Sequence, residues 1–540
     1  MPRAGTGRWL PRAATLAVLV VVGLLVVGPL VEMTRTVWFE GSGRLTEILT
    51  STGLGTAVRN TVVLAAVVTA GAVPIGTTLA LCLRRPGLPG RAFWRVTMLL
   101  PVLVPDFVLC YSWLRAYGPA GLTDDLFGWS WQGVQGPLGV AVVVTVNAVP
   151  LAYLTVAVGL AARAEPDLER AARASGAGGL TVLRTVTLPL ARPAVAAASV
   201  LVFVLTLGTF ALPQMLGAPA QFATVTTRIY ANLARGSDPL AFVEALVLAL
   251  LLVVFAALVV APADLVLGPR LRSRRTASSP GAVSGATHKT ADRWIVGALG
   301  SYLLLTMALP LVALLGAAVT RAAGLPPTLG NWTLDHFAAL VTSRNVEALG
   351  RSLLLAALAA SLVVVLGGCV AALERGRSGR GLATLVTLTL VLPGSTLAVG
   401  LLIGYGRWLG GTLTLILLAY VAKLWAFAHR PISGALDRLP PDELHASRAS
   451  GATALTAIRT VALRPLAPAL LAAWLVCFLV ALHEVTMSSL LYGPGTETLA
   501  VVVLNTQELG GVGPPAALSV TLTALTIVPA LLLWAVRRAR

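Results

Sequence analysis

Charge is scarce in this chain of 540 residues: 11% of them are charged, against 57% hydrophobic, and mean hydropathy is +0.85. A soluble globule carries about 25% charged residues. A surface this poor in charge excludes a soluble class and leaves lipid as the solvent for much of the molecule. Lysine is nearly missing, with only Lys289 and Lys423 among 40 basic residues. A P-loop needs Gly-Lys-Ser/Thr so that the lysine reaches the phosphates. Neither lysine follows a glycine, so that route to nucleotide hydrolysis is excluded. The four cysteines, Cys82, Cys110, Cys369 and Cys477, all fall in apolar runs without ligand-like spacing. They read as small buried hydrophobes, not as a disulfide frame or a metal site. The five histidines, His288, His336, His429, His445 and His483, form no motif. No catalytic residue, resident metal or cofactor is expected.

What is abundant is arginine and long apolar runs. Net charge is +18, which in a soluble protein would point to nucleic acid. Here the arginines cluster in alternate loops, the pattern of a positive cytoplasmic face, and no nucleic-acid partner is expected. A span needs about 20 mostly apolar residues. Twelve such windows occur, at 13–31, 56–83, 93–117, 137–161, 193–216, 240–267, 294–319, 347–373, 382–406, 410–430, 467–492 and 514–536. The loop after the second carries Arg84, Arg85, Arg91 and Arg95, while the loop after the third carries Asp124 and Asp125 and no base. The arginine asymmetry places both termini in the cytoplasm. The N-terminal run lacks a small-x-small cleavage site and reads as an uncleaved first span.

The chain is written twice. Residues 166–193, PDLERAARASGAGGLTVLRTVTLPLARP, return as 441–468, PDELHASRASGATALTAIRTVALRPLAP, with 15 of 28 positions identical at an offset of 275. A weaker echo links 59–85 to 350–377 at an offset of about 291. Between the copies, residues 271–293 are rich in Ser, Gly and Ala with no apolar period, a flexible cytoplasmic linker. The expected organisation is all-α and polytopic, with about 12 membrane helices: a first six-helix domain over 1–268, a linker over 269–293 and a second domain over 294–540. This is a parallel repeat with both polar loops on one side.

Each polar copy lies between the fourth and fifth windows of its half. Pro166 and Asp167 suit a helix start. Apolar Ala171, Ala172, Leu180 and Val182 interleave with Arg170, Arg173 and Arg184, as on an amphipathic surface helix. Gly176 and Gly451 interrupt the two copies at the same place, which predicts a turn or a close backbone approach. The pattern resembles the EAA loop of binding-protein-dependent ABC importer permeases: Glu-Ala-Ala, three residues, Gly, nine residues, then Ile-x-Leu-Pro. Here it reads Arg170-Ala171-Ala172, Gly176 and Leu188-Pro189 within 165–189, and His445-Ala446-Ser447, Gly451 and Leu463 within 440–465. Arg170 and His445 stand where the family writes Glu, Arg464 stands where it writes Pro, and Glu169 lies one position early. The resemblance implies that each loop is a coupling helix seated on a cytoplasmic ABC ATPase subunit. Two ATPase copies, an extracytoplasmic solute-binding protein and the bilayer of a bacterial inner membrane would be the partners.

Charge inside a membrane is expensive and marks candidate function. Asp106, Lys423, His483 and Glu484 fall inside the windows and are candidates for the translocation path, with Glu244 near the start of the sixth. At the 275 offset, Gly208 and Thr209 stand where His483 and Glu484 do, so a path lined by both halves would be asymmetric. Pro101, Pro105 and Pro393 would kink their spans. Two tandem six-span permeases look most like the ferric-iron and thiamine importers. The expected solute is therefore ferric iron, with thiamine, phosphonate and polyamine as alternatives. An ion-coupled 12-span carrier is the rival class, but it has no use for a matched polar helix in each half.

Overall fold

Backbone groups in lipid must pair within their own segment, so apolar runs of this length fold as helices. The computed structural model agrees: it is helical throughout, with only two isolated bridges and no ladder among the described residues. The described residues are all except 1–8, 42, 86, 164–165, 235, 237–238, 273–288, 323–324, 326–327, 376–378, 440–445, 448, 454–455, 457 and 540. Most of the linker therefore lies outside them, as does His445.

Among the described residues nine helices are long and apolar enough to cross a membrane, or eleven with two bent pairs counted. In chain order the spans are 1 (Thr15–Gly41), 2 (Thr52–Cys82), 3 (Arg91–Leu103 and Asp106–Phe127), 4 (Pro137–Ala162), 5 (Gly179–Leu207) and 6 (Pro239–Ala263). Then follow 7 (Asp292–Val319), 8 (Arg344–Leu373), 9 (Gly381–Val391 and Gly394–Leu409), 10 (Leu413–Leu436) and 11 (Leu463–Leu482). The twelfth window is the helix Gly513–Ala539, whose described apolar stretch is Gly513–Ile527. Apolar side chains stay open along the spans, Leu258 at 64% and Val365 at 66% for example, as lipid-facing positions do.

Three expectations need correction. Spans 3 and 9 are broken rather than kinked, bending by 100° and 102° at Pro105 and Pro393. A proline supplies no N–H and opposes the helical conformation in the residue before it. Span 11 ends at Leu482, so His483 and Glu484 lie in the turn before the helix Thr486–Leu491, not within a membrane helix. Cys369, expected to be buried, is exposed.

The helices group into two compact units, each drawing on both halves of the chain. One unit comprises Met1–Thr50, Ile229–Val253 and Thr342–Val502; the other comprises Ser51–Arg228, Val254–Val341 and Val503–Arg540. In the second unit, spans 2, 4 and 5 form the core. A Cβ on Gly76 would lie 2.6 Å from the Tyr153 nitrogen, so only glycine lets spans 2 and 4 meet. In the first unit Gly367 plays the same part, with a Cβ 2.8 Å from the His429 nitrogen.

The first span of each half packs on the third span of the other. Span 1 carries a π-turn, Gly23–Val27, just before Gly28-Pro29, and span 7 carries one, Leu304–Ala308, just before Leu309-Pro310. The wider turn accommodates a proline, and carbonyls that a normal residue's N–H would take are left free. In the first unit Tyr405 donates its hydroxyl to the Leu24 carbonyl (2.8 Å). In the second, Tyr117 donates to Leu305 (2.5 Å) and Trp113 Nε1 to Thr306 (3.2 Å). Tyr117 and Tyr405 occupy equivalent places, 12 residues after Pro105 and Pro393.

Candidate functional site

The polar repeat folds as a short helix, a turn and the start of a span. In the first copy the helix is Pro166–Ala174, and a new helix begins at Gly179 and runs on into span 5. The surface helix is therefore shorter than the motif, and span 5 starts earlier than its apolar window. Gly176 supplies the turn, with φ +84°. Its N–H bonds the Arg173 carbonyl (3.0 Å) and the Ala177 N–H bonds the Ala172 carbonyl (3.0 Å). That is a Schellman cap, which needs a left-handed residue and so favours glycine. No atom lies within 4 Å of where a Gly176 Cβ would be, so the glycine serves the turn and not a close approach within the chain.

The second copy repeats the turn. Gly451 has φ +86°, and the Ala452 N–H bonds the Ser447 carbonyl (3.2 Å). Ser175 and Ser450 each donate their hydroxyls back to Ala171 and Ala446, at 3.0 and 2.9 Å. Each copy then passes through a π-turn, Leu183–Thr187 or Ile458–Ala462, into its fifth span. In the second copy Arg464 replaces Pro189 and a proline follows one residue later, at Pro465. Arg170, Ala171, Ala446, Leu188 and Leu463 are exposed, Ala172, Pro189 and Ser447 are half-buried, and Leu180 stands 61% open. Each loop thus offers a surface of small and apolar residues among arginines.

Glu169 points the other way. It is buried, and its carboxylate accepts from Thr187 Oγ1 (3.0 Å) and pairs with Arg84 (3.5 Å) and Arg173 (3.9 Å). It ties the surface helix to the end of span 2 and to the π-turn that opens span 5.

The intramembrane polar residues meet the helix breaks. Lys423 on span 10 donates to the carbonyls of Leu390 (3.4 Å) and Leu392, at the end of the first part of span 9. Those carbonyls have lost helical partners at the break, and a cation at a helix C-terminus is favourable. The register set by Gly76 and Gly367 matches Lys423 with Asn147 on span 4. Asn147 donates to Asp106 Oδ1 (2.8 Å) in the first turn after the break in span 3. Both breaks are thus held from the neighbouring span, one at its carbonyl end and one at its carboxylate end. Glu484 turns its carboxylate onto the start of Thr486–Leu491, accepting from the N–H groups of Met487 (2.8 Å) and Ser488 (3.1 Å). Tyr420 and Ser488 hydroxyls lie 2.8 Å apart beside it. His483 Nε2 is buried without a hydrogen-bond partner. Asp106 is exposed while Glu484 and Lys423 are half-buried. Among the described residues no group of three His, Cys, Asp or Glu side chains converges as a metal site would require.

One matched pair escapes sequence reasoning. Thr61 on span 2 accepts from the Val225 N–H (2.8 Å), and Ser352 on span 8 accepts from the Leu499 N–H (2.8 Å). Each hydroxyl caps the helix that precedes the sixth span of its repeat. The usable signal is the offset of 291 that aligns Thr61 with Ser352.

The family model described as "Binding-protein-dependent transport system inner membrane component" matches the chain twice, at residues 72–272 and 363–539. The Fe(3+)-transport system permease protein FbpB 2 of Haemophilus influenzae is 23% identical over 502 residues, covering 90% of each chain. A putative 2-aminoethylphosphonate transport system permease, PhnV of Salmonella typhimurium, is 27% identical over 228 residues, or 41% of this chain and 85% of that one. The putrescine transport system permease protein PotI of Escherichia coli is 30% identical over 177 residues, or 31% of this chain and 63% of that one.

Proposed function

Because the chain belongs to the binding-protein-dependent transport system inner membrane components, we propose that its two polar loops seat two cytoplasmic ATPase subunits while the spans carry the solute. It is the permease component of an ABC importer, and the two repeats supply both transmembrane domains. One observation carries the reading of the loops. Among the described residues, two segments 275 residues apart form the same glycine turn and π-turn, with small residues and leucines turned outward. Tandem identity of this kind serves a partner that binds twice.

In this reading Arg170, Ala171, Ala172, Gly176, Leu188 and Pro189 contact one ATPase copy, and His445, Ala446, Ser447, Gly451 and Leu463 the other. Glu169 acts from inside the loop. Both termini and both loops are cytoplasmic, and the opposite face receives an extracytoplasmic solute-binding protein. Asp106, Lys423, His483 and Glu484 lie along the path. The solute is ferric iron, a reading supported by the relative that aligns with both repeats at once. The phosphonate reading comes second, because that relative aligns with a single repeat.

Uptake of radiolabelled ferric iron in cells lacking this chain tests the proposal. Wild type should restore uptake, and ATP depletion should abolish it. Uptake that survives ATP depletion and collapses with an uncoupler would make the chain an ion-coupled carrier instead.

A further inference from the structure

The two repeats stabilise their loop ends with different charges, and the difference is systematic. In the first repeat, Glu169 joins Arg84 and Thr187. At the 275 offset Glu169 becomes Leu444 and Thr187 becomes Ala462, so both acceptor and hydroxyl are replaced together. The second copy keeps a carboxylate at Glu443, aligned with Leu168, which in the first copy faces outward at 46% exposure. Arg84 persists as Arg375 but is redirected. Arg375 donates to Asp437 Oδ1 (2.6 Å) and to the Ser433 carbonyl (3.0 Å), and the adjacent Glu374 pairs with His429 Nε2 (2.8 Å). All of these bonds join span 8 to the end of span 10. On the same register the first repeat has Leu83, Tyr153 and Ala161 where Glu374, His429 and Asp437 stand. Among the described residues each repeat therefore shows a polar latch of its own, built on the arginine common to both, from residues that the other repeat replaces.

The latches tie different parts. In the first repeat, movement of the surface helix must move Glu169, and with it Arg84 at the end of span 2 and Thr187 at the start of span 5. The carboxylate is buried, so releasing it without its partners would leave an uncompensated charge. In the second repeat the arginine clamps span 8 to span 10, before the loop begins.

We propose that Glu169, held by Arg84 and Thr187, is the positioning residue through which the first loop drives spans 2 and 5, and that the two loops pass on ATPase movement unequally. This rests on the reading of the loops as ATPase seats. The test uses the full permease–ATPase complex and needs no knowledge of the solute. Cys82, the half-buried last residue of span 2, stands two residues before Arg84. With the other three cysteines replaced by alanine, its maleimide labelling rate is measured without nucleotide and after trapping with ATP and vanadate. Trapping should change the rate by about tenfold, within the usual range of site-to-site coupling. Glu169→Ala and Thr187→Val should abolish the change with the ATPase still bound. The exchange Arg84→Glu with Glu169→Arg should recover part of it, and Asp437→Asn should leave it intact. A full change in Thr187→Val and Glu169→Ala with ATPase bound overturns the inference alone. If Glu169→Ala fails to reach the membrane, Thr187→Val, which removes one hydroxyl, decides. Wild type that binds no ATPase overturns the reading of the loops as well.

Discussion

Replacing Gly176 separates a backbone requirement from a contact requirement. Gly176 sits at φ +84°, and no heavy atom lies within 4 Å of the place its Cβ would occupy. Alanine there meets no steric obstacle within the chain, and its whole cost is that of a left-handed conformation, about 1–2 kcal/mol. If the capped turn is the form that seats on the ATPase, docking at that loop weakens by the same amount, about 5- to 30-fold at 1.4 kcal/mol per decade. Asparagine tolerates this conformation far better than other non-glycine residues, so Gly176→Asn should retain most of the docking that Gly176→Ala loses. The assay is co-purification of the ATPase with the permease at graded ATPase concentrations, with membrane abundance checked by immunoblot. Gly451, at φ +86° and equally open, should give the same order of variants. Asparagine as damaging as alanine in both copies would refute this. The glycine would then be needed for close approach of the partner and not for the turn.

Four further outcomes follow from the packing. Lys423→Met leaves the Leu390 and Leu392 carbonyls at the break in span 9 without their donor, a cost of about 1–3 kcal/mol; thermal unfolding of the purified permease should come earlier, and Lys423→Arg should recover part of the loss. Gly76→Leu, whose Cβ would lie 2.6 Å from the Tyr153 nitrogen, should reduce the amount of folded chain in the membrane, whereas Gly178→Leu, with open space around it, should not. Thr61→Ala and Ser352→Ala each remove a helix cap worth about 1 kcal/mol, and the double variant should lose stability nearly additively because the sites share no hydrogen-bond partner. Glu484→Gln keeps an acceptor for the Met487 N–H but loses the charge; it should lower uptake at equal membrane abundance, and unchanged uptake would reduce Glu484 to a helix cap.

Much of the architecture is legible in the sequence because lipid imposes simple rules. Apolar runs locate the spans, and the 275-residue repeat locates both loops. The φ of Gly176 and Gly451 follows from glycine at the same place in two polar helices. What is not legible depends on partners distant in sequence. Nothing in hydropathy indicates that Tyr117 serves a carbonyl 188 residues away, or that each compact unit draws helices from both halves. Pro105 and Pro393 announce a disturbance, but not that Asn147 and Lys423 hold the broken ends. By sequence Glu169 reads beside Arg170 as part of one docking surface. Neighbours on a helix face about 100° apart, and only the fold shows which of them turns inward. The apolar run continues past His483 and Glu484, which suggests a span there, while the helix stops at Leu482.

That one chain seats two ATPase subunits through its two loops can be tested directly. Photo-crosslinking groups are placed at Leu180 and at Ala446, and the adducts formed in native membranes are measured by mass. Each single site should capture one copy of the same ATPase, and the double-site chain should capture two. Capture at neither site, with uptake persisting after ATP depletion, would contradict the two-seat reading.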